Sequence, residues 1–156
     1  MLIAQLSDLH IKTAGRLAYG RVDTAAMLKA AVAHLMAQNP LPDVVVVTGD
    51  LVDYGKDEEY ALLRELLDPI TLPMLLLPGN HDERAALRRA FASPRFSYLQ
   101  QGGTFVQYAV TLGTLRFVAL DTVIPGEGAG RVCVQRLAWL DQTLGADATP
   151  TVVLMH

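Results

Sequence analysis

Cysteine is all but absent. Cys133 is the single one among 156 residues, so no disulfide can close within the chain and a CxxC zinc site cannot form from it. A reducing cytoplasm is the expected compartment. Long apolar runs are also missing: nothing approaches the ~18–20 uninterrupted residues of a bilayer span, and the longest pure stretches, such as Val44-Val45-Val46-Val47, have strand length. No membrane partner is expected. The first residues, Met1-Leu2-Ile3-Ala4-Gln5-Leu6-Ser7-Asp8, carry neither the basic segment nor the long apolar core of a secretory signal. Basic blocks are lacking too. The 13 Lys and Arg are outnumbered by 16 Asp and Glu, and Arg16, Arg21, Arg84, Arg88, Arg89, Arg95 and Arg131 are scattered. Long nucleic acid is therefore disfavoured as a partner. No repeat, low-complexity tract or linker divides the chain, so residues 1–156 read as one domain.

What is present is apolar and periodic. A hydrophobic fraction of 51% against 19% charged residues excludes intrinsic disorder and supplies a sizeable core. Strands are predicted at about Leu2–Ser7, Val44–Thr48, Met74–Leu77, Thr104–Val110, Leu115–Leu120 and Thr151–Met155. Their continuous apolar character predicts burial on both faces. Helices are predicted at about Asp23–Gln38, Asp57–Leu67, Glu83–Phe91 and Val134–Leu144, the last presenting Leu137, Leu140 and Leu144 on one face. Strands alternating with helices indicate an α/β fold. Turns at Gln100–Gly103 and Gly113-Thr114 flank a hairpin. The glycine-rich run Pro125–Gly130 lacks a following Gly-Lys-Ser/Thr helix start, so it is no P-loop and reads as a flexible connection.

Three successive strands end in residues that can bind metal: Ser7-Asp8-Leu9-His10, Thr48-Gly49-Asp50-Leu51-Val52-Asp53 and Pro78-Gly79-Asn80-His81-Asp82. The final strand ends at His156. In a parallel α/β sheet the carboxyl ends of strands share one edge, where such residues can meet. Carboxylates, imidazoles and one amide oxygen suit Fe, Mn, Zn or Co rather than a thiolate-selective ion. Asp8 and His10, two apart on an extended segment, can chelate together, and Asp50 can bridge two ions. Each residue also has a plainer reading, as a cap or turn former after a strand.

In this order the three motifs, with Glu59-Tyr60 and Trp139-Leu140, resemble the calcineurin-like metallophosphoesterases, and within them the bacterial glycerophosphodiesterase and class III cyclic-nucleotide phosphodiesterase branch. The resemblance implies a layered α/β/β/α sandwich, of which this chain is the N-terminal portion. It implies two divalent or trivalent ions, with Asp8 and His10 on the first, Asp50 bridging, and Asn80 and His156 on the second. His81 would contact the phosphate or leaving group, and Asp82 would orient its ring. The family continues with His-Pro-Pro after the position of His156 and closes its site with Gly-His-x-His; the sequence stops at His156. A longer protein, homo-oligomeric at full length, is the expectation.

The implied activity is hydrolysis of a small phosphodiester, a glycerophosphodiester or cyclic nucleotide, by attack of a metal-bridging hydroxide. A non-catalytic interaction module on the same fold and a nuclease are the alternatives, the first opposed by so many clustered polar groups and the second by the acidic balance. Outside the motifs, Asp53 either supports Asp50 or caps a turn, and Cys133 reads as a small buried hydrophobe. Arg84, Arg88 and Arg89 read as a solvated helix face. Gly15, Tyr19 and Gly20 lie in the loop after His10, where substrate would enter.

Overall fold

The strand-length apolar runs form two three-stranded sheets in a computed structural model that describes residues 1–156. The first is all parallel, in the order β1 (Ile3–Leu6), β2 (Val44–Thr48), β3 (Met74–Leu77). The second holds β4 (Tyr108–Leu112), antiparallel to β5 (Leu115–Ala119), with β6 (Thr151–Leu154) parallel to β5. Helices α1 (Thr24–Met36), α2 (Asp57–Leu67) and α3 (Arg84–Ala90) follow β1, β2 and β3 in turn. The fourth, α4 (Val134–Gly145), precedes β6.

Local chemistry sets the helix starts. Asp23 caps α1 by accepting from the Ala26 amide, an interaction worth about 1 kcal/mol. The Glu59 carboxylate folds back over the start of α2 to accept the Tyr54 and Lys56 amides, and Glu83 accepts the Ala85 and Ala86 amides at the start of α3.

Burial on both faces holds for β2 and β3, every residue of which is buried. It does not hold for β1 and β6. Ile3 and Gln5 are exposed and β6 is mostly half-buried, because both are edge strands of their sheets. The free edge of β3 is closed by side chains instead. Tyr98 takes the Leu76 amide and donates to the Met74 carbonyl, and Tyr108 donates to the Leu76 carbonyl. Two hydroxyls thus satisfy backbone groups that a fourth strand would otherwise pair. Tyr98 lies in the 3-10 stretch Pro94–Gln100, which hydrophobic periodicity does not reveal.

Two further expectations need correction. Thr104–Gln107 is turn and irregular chain, and β4 begins only at Tyr108. The cause is competition for backbone groups, since the Val106 amide goes to the Asp121 carboxylate and the Phe105 carbonyl to Arg88. The predicted turn at Gly113-Thr114 is present, with Gly113 at φ +59° in a two-residue hairpin. The arginines of α3 are not all solvated: Arg84 grips Asp121, Arg88 caps the Leu99 carbonyl, and only Arg89 stays exposed, paired with Asp57. On α4 the leucine face is not buried. Leu137 is 56% and Leu144 38% exposed, and the one buried side chain of this helix is Arg136.

Candidate metal centre

The carboxyl ends of β1, β2, β3 and β6 deliver the candidate ligands to one place. Beyond β1 the chain keeps pairing with the segment after β2: Asp8 N bonds to Gly49 O at 3.1 Å, His10 N to Asp50 O at 2.9 Å, and Asp53 N to Ile11 O at 3.1 Å. This pairing closes the first two motifs against each other. It does so at a conformational cost, because Asp8 (φ 56°), His10 (φ 43°) and Asp50 (φ 48°) all take left-handed backbone. Non-glycine residues enter that region at about 1–2 kcal/mol each. Asp8 and His10 thus stand on left-handed rather than extended backbone, and their ligand atoms fall in separate groups, Asp8 with Asp50 and His156, His10 with Asp53 and His81, which corrects the simpler expectation of a shared chelate. Strain concentrated on three neighbouring ligand candidates is the pattern of a functional site.

Asp50 is at the centre. One carboxylate oxygen lies 3.6 Å from His10 Nε2 and the other 3.5 Å from His156 Nε2. Both separations are too long for strong hydrogen bonds. They match the spacing, ~3.4 Å, of two ligands each about 2.1 Å from one ion at a tetrahedral angle. Ligand atoms of Asp8, Asp50 and His156 lie within 4.8 Å of one another, as do those of His10, Asp53 and His81. Asn80 is half-buried and shares a cavity of about 210 Å³ with His156, Thr122 and Gly128–Gly130.

The imidazoles are presented in the form metal binding needs. His156 Nδ1 is 2.9 Å from the Thr48 carbonyl, which fixes the proton on Nδ1 and leaves the Nε2 lone pair facing Asp50. His10 Nδ1 is a buried nitrogen with no hydrogen-bond partner, 3.4 Å from Asp53 Oδ1 but poorly aligned with it. Two glycines complete the cradle: a Cβ on Gly49 would overlap the His156 ring, and one on Gly79 would overlap Asp50 and reach that ring. The donor set, its spacing and the cradle all fit divalent or trivalent cations.

Asp82 does not touch the His81 ring. Its carboxylate accepts the Leu51 amide at 3.0 Å, the Gly79 amide at 2.8 Å and the Tyr60 hydroxyl at 2.8 Å. It thereby ties together the turns after β2 and β3. Burial pushes its pKa up to about 6 against the opposing pull of these three donors. The His81 ring is held instead by the Asp53 carbonyl, 2.8 Å from Nδ1, and stands edge-on to the His10 ring. The Asp53 carboxylate is paired with Lys12.

Further residues serve the site. Tyr60 is fully buried, donates to Asp82 and accepts the Glu83 amide. The glycine-rich run is no free linker: a Val123–Gly130 bridge closes it, and it forms one wall of the Asn80 cavity. Asp121 was detectable, since Leu120-Asp121-Thr122 is a further polar residue directly after an apolar strand.

The profile of the Calcineurin-like phosphoesterase family matches residues 1–156. The chain belongs to that family. It is 34% identical over 157 residues to the glycerophosphodiester phosphodiesterase GpdQ of Enterobacter lignolyticus, covering 100% of this chain and 56% of that one. It is 33% identical over 154 residues to a probable GpdQ of Arcobacter nitrofigilis, covering 99% and 55%. To a cAMP/cGMP dual specificity phosphodiesterase of Mycobacterium tuberculosis it is 30% identical over 162 residues, covering 99% and 49%. The chain thus spans about half the length of the curated relatives it matches. A purple acid phosphatase from yellow lupin (Lupinus luteus) seeds shares the fold, with a TM-score of 0.63 at 14% identity over 99% of this chain and 30% of that one. No helix is long and apolar enough to cross a membrane.

Proposed function

We propose that this chain carries the ligand-rich half of a binuclear phosphodiesterase site, with Asp8, His10 and Asp50 holding one cation and Asp50, Asn80 and His156 the other. The observation that carries the reading is the Asp50 carboxylate, whose two oxygens each face the Nε2 of a different histidine. The substrate class is a small phosphodiester, which is what the names of the relatives describe for those proteins. When bound, the two ions would supply charge neutralisation at phosphorus and a lowered pKa for bound water.

The side chains supply the rest. The Asp53 carbonyl fixes His81 Nδ1 as a donor, so Nε2 is the nitrogen free to meet substrate. In the imidazolium form Nε2–H donates a proton to the departing alkoxide, and neutral imidazole would leave that oxygen unprotonated. Asp82 acts through the backbone, holding the Leu51 and Gly79 amides and so the spacing between Asp50 and Asn80. It is a positioning residue.

The test is cation stoichiometry together with diester hydrolysis by the protein at its native length, using bis(p-nitrophenyl) phosphate as probe. Two ions per chain, with hydrolysis abolished by chelation and by Asp50→Ala, are the expected results. Hydrolysis that persists after complete chelation overturns the reading.

A further inference from the structure

The two halves of the centre are held by different means. His10 and His81 meet Asp53, whereas His156 and the Asn80 cavity lean on the segment after β5. Thr122 donates its hydroxyl to the His156 carbonyl at 2.5 Å and also lines the cavity shared by Asn80 and His156. The residues on either side of it are fixed. Asp121, fully buried, receives Arg84 as a two-pronged fork, Nε to Oδ2 at 2.7 Å and Nη2 to Oδ1 at 2.8 Å, and accepts the Val106 and Val123 amides. Arg84 Nη2 and Arg136 Nη1 both donate to the Val123 carbonyl, and Arg136 Nη1 also takes the Asp121 carbonyl. Phe105 lies under both guanidinium groups.

Seven charge-assisted bonds thus fall on Asp121 and Val123, outside the ligand set. Such bonds are about twice as strong as neutral ones, and a buried carboxylate this fully paired has one geometry available to it. Binding surface for a substrate does not explain the arrangement, because Asp121, Arg84 and Arg136 spend their donors and acceptors on one another and on backbone. The Thr122 hydroxyl, by contrast, reaches a candidate ligand residue, His156.

We infer that Thr122, clamped through Asp121 by Arg84 and Arg136, is a positioning residue for His156 and hence for the cation held by Asn80 and His156. The inference rests on the binuclear reading above. It assigns the two sites separate supports, so damage to this clamp acts on one cation and spares the other.

The experiment measures Mn(II) binding to the native-length protein by calorimetry, without substrate, in Thr122→Val, Thr122→Ser and Arg84→Lys variants, with circular dichroism confirming the fold. Valine keeps the shape and removes the hydroxyl; serine restores it; lysine keeps the charge but cannot form the fork. In Thr122→Val one dissociation constant rises 10–100-fold, the range for outer supports of metal ligands, and the other changes less than twofold. Thr122→Ser returns to within about threefold of the unaltered protein, and Arg84→Lys reproduces the one-sided loss. Equal weakening of both sites, no weakening, or a serine variant as poor as valine overturns the assignment. An unaltered protein that binds fewer than two ions overturns the binuclear reading itself.

Discussion

The ring of His156 rests on the backbone of Gly49, in the space a Cβ would need. Gly49 stands at φ +86°, so alanine there meets two penalties at once: a left-handed conformation, about 1 kcal/mol or more, and overlap with the imidazole. Gly49→Ala should leave the core of β2 intact, displace His156, and lower cation affinity by at least tenfold. Calorimetry with Mn(II), beside a melting curve, separates the two effects. A variant that binds both ions normally would show that the ring does not need this position.

The turns after β2 and β3 are joined by Asp82, and that junction titrates. Its pKa in the fold, about 6, lies above the ordinary aspartate value near 3.9, so the folded state binds the proton more tightly than the unfolded one. The contribution is fully present below about pH 4 and is lost as pH rises through about 6. Asp82→Asn keeps an acceptor for the Leu51 and Gly79 amides and removes the titration. Its stability should vary less between pH 4 and 6 than that of the unaltered protein, as read from urea midpoints across that window. Parallel curves for the two proteins would contradict the assignment.

Cys133 gives a second proton-linked readout. It precedes α4, and the Arg136 amide, followed by the Arg136 guanidinium, holds its thiol below the usual cysteine range. Alkylation by iodoacetamide should therefore reach half its maximal rate at a lower pH in the folded protein than for the same cysteine in urea. Coincident profiles would mean that Arg136 does not stabilise the thiolate.

Much of this was legible in the sequence, for a physical reason. Asp8, Asp50 and Asn80 each follow an apolar strand of one parallel sheet, whose carboxyl ends share one edge, so local pattern alone brings them together, whereas His156 arrives from the second sheet, a separation the pattern does not announce. What the pattern could not show depends on contacts formed only in the fold. Tyr60 reaches Asp82 across 22 residues and Arg84 reaches Asp121 across 37. The late start of β4 has the same origin, since the backbone groups of Phe105 and Val106 are claimed by Arg88 and Asp121. The solvated reading of Arg84 failed because a helix face says nothing about a buried carboxylate on another element.

The left-handed backbone at Asp8 ties stability to function in a way that can be measured. The residue is exposed, and the only side-chain partner of its carboxylate is the neighbouring Ser7 hydroxyl, so removing the carboxylate leaves no buried group unpaired. What remains is the conformation at φ 56°. Glycine adopts it freely and alanine does not, so cation-free Asp8→Gly should be more stable than Asp8→Ala by about 1 kcal/mol. In a chain of this size that corresponds to a melting point roughly 2–4 °C higher. Both variants should lose the cation that Asp8 helps to hold, and with it the stabilisation by binding, which reaches ~2.7 kcal/mol at a ligand concentration 100 times the dissociation constant. Melting curves with and without Mn(II) thus test two links at once. Equal stability of the glycine and alanine variants would show that the backbone at Asp8 is not strained, and full stabilisation of either by Mn(II) would remove Asp8 from the ligand set.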